Sequence, residues 1–257
     1  MAERRLWTRE ELMLAVNLYL QLPFGKLHSS TPEIIQLASL IERTPGAVAR
    51  RLNNFAAVDS FHQSRGIVGL AGGNKQVEPI WNEFLFNKED LLYESERIRA
   101  AMEKRTLEEK YANTLHDLQL LNGEDKLREV KTRVNQNVFR RIVMANYSER
   151  CAISGIDIPE FLVASHIVPW AINKDQRLNP ENGICLSSLY DKAYDKGYIG
   201  INEQHKIVLS TALKKKEKEG YYTHWFSHLS NMQIALPQKY LPAKSFLQYH
   251  MDVVFKG

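Results

Sequence analysis

Apolar residues recur at helical spacing through the first 60 positions. Trp7, Leu12, Leu14, Ala15, Leu18 and Tyr19 predict one helix, with Thr8 ahead of Glu10 and Glu11 as its N-cap. After the turn LPFGKLHSS, Thr31 is placed to cap a second helix with Pro32 at its first position and Ile34, Ile35, Leu37, Ala38, Leu40 and Ile41 on its apolar face. Pro45 opens a third, carrying Ala47, Val48, Leu52 and Phe55. Helix, helix, short turn, helix is the outline of a helix-turn-helix, with Arg50, Arg51, Asn53 and Asn54 expected to face DNA. A trihelical module that binds no DNA fits the same pattern. Residues 56–82, punctuated by glycines (RGIVGLAGGNK), predict a short hairpin or wing, as in a winged-helix domain.

From Glu83 to Leu121 the chain is highly charged, with Leu91, Ile98, Met102, Leu107, Tyr111, Leu115 and Leu118 spaced by three to five; this predicts a long helical connector. Another helix is expected over about 126–147. The pattern then changes. VASHIVPW is an apolar run ending in histidine and proline, RLNPENG is polar and ends Asn-Gly, ICLSS is apolar, and a helix-like segment opening with Asp191 follows. Strand, loop, strand, helix is the predicted order, over strands 161–168 and 184–187.

Composition limits the function classes. The 257 residues suffice for two modest domains, and 44% hydrophobic with 25% charged residues is ordinary for a globular protein. No apolar run is long enough to span a membrane, and the start MAERRLWTREEL lacks an apolar leader core, so a cytoplasmic protein is expected. Cys151 and Cys185 alone make neither a disulfide framework nor a four-thiolate zinc site. The net charge of +4 is mild, but Lys126, Arg128, Lys131, Arg133, Arg140, Arg141 and Arg150 face only Glu129 and Glu149 between 126 and 150. A phosphate backbone could lie along such a helix, and a solvated face is the bland alternative.

A histidine at a strand end and a carboxylate on the following helix suit phosphodiester hydrolysis assisted by a divalent ion. FRRIVMANYSERCAISG, then FLVASHIVPW, then RLNPENGICLSSLYDKAYDKGYIGI resemble the HNH (ββα-metal) nuclease superfamily, in the branch whose first motif reads Ser-His-Ile-x-Pro-Trp and which includes restriction-type endonucleases. The resemblance covers about residues 138–212. It implies His166 as general base, Asn182 as the residue that fixes the loop backbone around it, and Asp191 as the ligand of a hard ion such as Mg²⁺ or Mn²⁺. Gly183 is expected to permit the tight turn into the second strand. Ser165 stands where many family members have an acidic metal ligand, so Asp195, water or phosphate oxygens are expected to complete the site; Asp195 as a helix-end residue before Gly197 is the alternative. Zinc-stapled relatives carry two CxxC pairs, whereas Cys151 here is followed by Ser154, so no structural zinc is expected and both thiols read as small buried hydrophobes. Arg177 and Lys192 are candidate phosphate contacts or plain surface charges, the run Lys214, Lys215, Lys216, Lys218 is a solvated loop by default, and His205, His224, His228 and His250 receive no role.

The expected architecture is α+β: a helical (helix-turn-helix or winged-helix-like) recognition domain over 1–82, a helical connector over 83–135, and a ββα-metal nuclease domain with a C-terminal extension over 136–257. The expected activity is metal-dependent cleavage of double-stranded DNA by a homodimer of restriction type, with direction to modified cytosine as a narrower form of the same reading. The alternatives are a DNA-binding regulator with a degenerate nuclease domain and an RNA-cleaving or toxin-like nuclease.

Overall fold

The computed structural model describes residues 5–66, 73–115, 118 and 123–257. They divide into two compact units, Met1–Val138 and Phe139–Gly257. No helix among the described residues is long and apolar enough to cross a membrane.

The first unit is helical. Helix α1 (Arg9–Leu20) starts at a capping box, in which Glu11 N–H donates to Thr8 Oγ1 at 3.3 Å and Thr8 N–H to Glu11 Oε2 at 2.9 Å. Every residue from Glu11 to Leu20 is buried, so α1 is a central helix rather than an amphipathic surface one. Its one mid-helix polar side chain, Asn17, donates to Ser95 Oγ (3.1 Å) and Glu96 Oε1 (2.8 Å). Helix α2 (Pro32–Leu40) has Thr31 at its N-cap position, but the Thr31 hydroxyl bonds Lys26 O at 2.6 Å instead of capping. Helix α3 (Pro45–Val58) is capped by Thr44. Helices α4 (Ser60–Gln63), α5 (Asn74–Phe86), α6 (Lys88–Met102), α7 (Leu107–Lys110) and α8 (Ala112–Leu115) follow, and α9 (Gly123–Asn146) ends in the second unit.

Two expectations bear on residues 56–121. The wing falls partly on residues 67–72, which lie outside the described residues; of the rest of 56–82, most is helical, and Trp81 is a core residue of α5. The connector, expected as a long helix, is a series of shorter ones. It breaks at Asn87 and again at Lys104, whose φ is +56°, and the Thr106–Glu109 capping box starts α7. Leu91, Leu92 and Ala100 are buried, and α6 packs on α1 within the same unit. Glu96, fully buried, accepts from Asn17 and from the Tyr111 hydroxyl (2.7 Å) and pairs with Lys110. A carboxylate buried this deeply is retained only when so satisfied.

The second unit is built on two antiparallel hairpins. Strands β1 (Leu162–His166) and β2 (Gly183–Ser187) pair with His166 opposite Gly183. Helix α10 (Ser188–Asp195) follows β2 without a loop and packs on both strands. Strands β3 (Ile199–Ile201) and β4 (Ile207–Leu209) form the second hairpin. Short helices α11 (Thr211–Lys214) and α12 (Gly220–Trp225) come next, and α13 (Lys244–Val253) packs on β3. Asp191 thus lies within the first turn of α10, three residues after the helix start, and does not open it.

Candidate active site

The β1–β2 loop is pinned by Asn182, a buried side chain at its far end. Its Oδ1 accepts from Val168 N (2.8 Å), and its Nδ2 donates to Val168 O (3.1 Å) and Gln176 O (3.2 Å). Its own carbonyl accepts from Ile167 N at 3.0 Å. One amide therefore closes the loop onto the residue next but one after His166, using nearly all its hydrogen-bonding capacity.

His166 Nε2 lies 3.0 Å from the Arg177 carbonyl oxygen. A carbonyl only accepts, so Nε2 carries the hydrogen and Nδ1 holds the lone pair. Burial pushes the His166 pKa down to about 4, against the raising effect of the Arg177 carbonyl, so the ring is neutral at neutral pH. Phe139 lies flat on one face of the imidazole (centroids 3.8 Å, planes 14°) and Trp170 meets it edge-on at 5.4 Å. Arg177 is itself held by Trp170: Nε donates to Trp170 O at 2.7 Å and the guanidinium sits 5.0 Å over the indole.

Gly183 corrects an expectation. Its backbone is extended (φ −127°, ψ 140°), so no tight turn requires glycine. A Cβ there would lie 2.4 Å from Val143 Cγ2 and 2.8 Å from Phe139 Cζ. Glycine is needed because α9 presses against the strand, and that approach brings Phe139 onto His166. Phe139 had no sequence signal beyond its apolar i, i+4 spacing with Val143, which reads as ordinary core.

Ser165 is buried and hydrogen-bonds the Asp191 carboxylate, linking β1 to α10. The Asp191 pKa is raised, chiefly by burial and secondarily by the facing charge of Asp195, with Ser165 and Lys192 opposing. Two carboxylates one turn apart and a hydroxyl are hard oxygen donors, and their mutual repulsion is what a divalent cation relieves. Among the described residues no group of three or more His, Cys, Asp or Glu side chains converges. The donors fit an ion bound through one or two protein oxygens, with water or phosphate supplying the rest. Lys192 is exposed beside them, and Asp195 lies 3.5 Å from Lys196 Nζ.

The other expected DNA contacts are placed differently. Arg50 is exposed on α3. Arg51 donates to Gln76 (2.8 Å) and stacks over Trp7 (4.8 Å), Asn53 bonds Leu27 O and Ala49 O, and Asn54 is buried. The basic stretch 126–150 is largely paired within the protein. Arg128 meets Asp125, Lys131 meets Asp90, Arg133 meets Glu129, and Arg150 meets Asp157. Arg140 donates to Leu162 O and Pro159 O, anchoring the start of β1.

Cys151 is not merely a small hydrophobe. Its Sγ accepts from the N–H groups of Ile153 (3.4 Å), Ser154 (3.3 Å) and Ser187 (3.1 Å). Burial pushes the thiol up, and these bonds with the Ser154 hydroxyl outweigh it and hold the pKa below its usual value. Cys185 is buried, which pushes its pKa up to about 12. His250, assigned no role from sequence, is buried against α10: its Nε2 lies 3.0 Å from Tyr194 O and its ring stacks on Tyr194 at 3.7 Å.

A histidine on the first strand of a hairpin, an asparagine at the foot of its loop and a carboxylate on the helix that follows make up one strand–strand–helix unit. Residues 151–202, which contain all three, match the HNH endonuclease family model, so this segment is an HNH endonuclease domain. No curated protein matches the chain.

Proposed function

We propose that the protein is a metal-dependent endonuclease that hydrolyses phosphodiester bonds in double-stranded DNA, of restriction type, with the helical unit selecting where it cuts. The observation that carries this reading is the fixed tautomer of His166, neutral and with Nδ1 free to take a proton, on the hairpin whose next helix carries Asp191. Nδ1 accepts a proton from the attacking water as its oxygen bonds to phosphorus. The bond from phosphorus to the 3′ oxygen breaks, leaving a 5′ phosphate and, after protonation from solvent, a 3′ hydroxyl. Arrival of the phosphate charge raises the basicity of the buried imidazole when it is needed. Asn182 keeps the loop, and hence the Arg177 carbonyl, in register with the ring. Asp191, with Asp195 and Ser165, would hold Mg²⁺ or Mn²⁺. Such an ion, when bound, supplies charge neutralisation at the scissile phosphate and leaving oxygen. We assign Arg177, half-buried, and Lys192, exposed, to phosphates beside the cut, and Arg50, exposed on α3, to recognition. Cutting both strands favours a homodimer.

Conversion of supercoiled plasmid to nicked and linear forms with Mg²⁺, Mn²⁺ or EDTA tests this. Metal-dependent cleavage should fall about 10²–10⁴-fold in His166→Ala, the range for loss of a general base. Undiminished cleavage in that variant removes the assignment of the base. Parallel substrates of RNA and of plain and cytosine-modified DNA separate an RNA nuclease and a modification-dependent enzyme from a plain DNA one. A second reading, a DNA-binding regulator with an inactive nuclease fold, is favoured by one observation: a serine, a weak ligand, occupies the position before the histidine. Tight duplex binding without cleavage under any divalent ion would select it.

A further inference from the structure

Between Leu213 and Phe226, both buried, residues 214–225 are all exposed except the half-buried Tyr222. Backbone bonds order this segment: Lys216 N to Leu213 O (2.9 Å), Glu217 N to Lys214 O (3.0 Å), Glu219 N to Lys216 O (2.9 Å), and then α12. It carries Lys214, Lys215, Lys216 and Lys218 against Glu217 and Glu219. Among the described residues none of the four lysines forms an ion pair, in contrast to the paired cations of α9. Two exposed rings stand next to them, Tyr221 (48% exposed) and Trp225 (54%).

This shelf is tied to the catalytic helix. The hydroxyl of Tyr190, the residue before Asp191, donates to Trp225 O at 3.0 Å, and its ring meets Phe226 edge-on at 6.2 Å. The four lysines outnumber Glu217 and Glu219 and form no ion pair with them, and a polyanion relieves the lysines' mutual repulsion. Resting on the endonuclease reading, we propose that residues 214–225 hold the sugar–phosphate backbone of duplex DNA flanking the cleaved bond. The four lysines meet phosphates, and Trp225 and Tyr221 pack against the deoxyriboses. The shelf lies outside residues 151–202, which match the HNH family model.

The test uses the full chain and a labelled DNA duplex in EDTA over a salt series, with plasmid nicking in Mn²⁺ alongside. In K214Q/K215Q/K216Q/K218Q, duplex affinity should fall about tenfold or more at moderate salt. The slope of log affinity against log salt should shrink by about 0.9 for each phosphate that is no longer neutralised, about two to four in all. The fourfold Lys→Arg variant should keep both affinity and slope, and its normal behaviour guards against a folding artefact. Nicking by the Gln variant should recover at saturating DNA, and Trp225→Ala should weaken duplex binding without changing the salt slope. Unchanged affinity and slope in the Gln variant, or a loss seen on RNA or single strands but not on duplex, overturns the proposal while leaving the endonuclease reading intact. A wild-type chain that neither binds nor nicks DNA brings down both.

Discussion

The His166 imidazole and the Phe139 ring lie face to face, 3.8 Å between centroids and 14° from parallel. Phe139 has no chemistry of its own; it fixes the rotation of a ring whose Nε2 is already committed to the Arg177 carbonyl. With one face covered and one nitrogen tethered, Nδ1 points in a single direction. Replacing Phe139 with Leu keeps an apolar side chain but removes the flat surface. The fold should survive at a cost of about 1–2 kcal/mol, modest for a large-to-small core change. Nicking at saturating plasmid should slow about tenfold to a hundredfold, in line with the sensitivity of catalysis to misplacement, with duplex affinity unchanged. A rate within twofold of wild type would show that the stack is packing alone.

Gly183 makes that stack possible, because a Cβ at this position meets Val143 Cγ2 at 2.4 Å and Phe139 Cζ at 2.8 Å. Gly183→Ala should cost about 1–3 kcal/mol, the range for overpacking a core. The added methyl and the Val143 methyls compete for one space, so Val143→Ala should recover part of the loss. A thermodynamic cycle over the two substitutions should give a coupling of about 0.5–3 kcal/mol in urea denaturation. Additive effects would mean that α9 moves away freely and that the glycine serves no close approach.

The grouping of the three candidate residues was legible because it is local. His166, Asn182 and Asp191 belong to one hairpin and the helix directly after it, so chain order alone brings them together. The capping boxes were equally readable: Thr8 with Glu11 was used, and the same spacing at Thr106 and Glu109 marks where the supposed connector breaks. The apolar stripe along 83–121 was legible too; the helix breaks at Asn87 and Lys104 were not, because charge and helical spacing run on through both. The burial of Glu96 is explained only by its bonds to Asn17 of α1 and to the Tyr111 hydroxyl, which no local pattern reveals. Phe139, the Tyr190–Trp225 bond across 35 positions and the His250–Tyr194 bond across 56 reach the site through tertiary contacts. Arg51 shows the converse, since a cation on a presumed recognition helix is absorbed by Trp7 and Gln76.

The proposed metal role of Asp191 runs against stability. Burial and the charge of Asp195 raise its pKa, so its ionised form costs the folded state free energy at neutral pH. Asp191→Asn removes that charge while keeping an acceptor for the Ser165 hydroxyl. The variant should melt at or above the wild-type temperature in EDTA, and should lose both Mn²⁺-stimulated nicking and any rise in melting temperature on adding Mn²⁺. A variant that melts lower in EDTA, or that still responds to the ion, would show that the carboxylate is structural.

His250 should give the chain an acid sensitivity that begins behind α10. Its Nε2 faces Tyr194 O, so Nε2 carries the hydrogen, and protonation must place a charge on the buried Nδ1 between Tyr194 and the core. Burial lowers its pKa to about 4, with the Tyr194 carbonyl and the charge of Asp195 opposing. The folded value is depressed below the unfolded one, near 6.5. Stability is therefore untouched above pH 6.5 and declines as pH falls from there towards 4, because the unfolded chain takes the proton first. For one histidine the loss is about 2 kcal/mol between pH 7 and pH 5, and His166 adds its own share over the same window. Glutamine at position 250 can still donate to the Tyr194 carbonyl but does not titrate. Urea unfolding of His250→Gln should give a stability that declines less steeply than wild type across this range, by about 2 kcal/mol at pH 5. Parallel profiles for the two proteins would mean that the folded state accommodates the charged ring, and that His250 is not what loosens the end of α10 in acid.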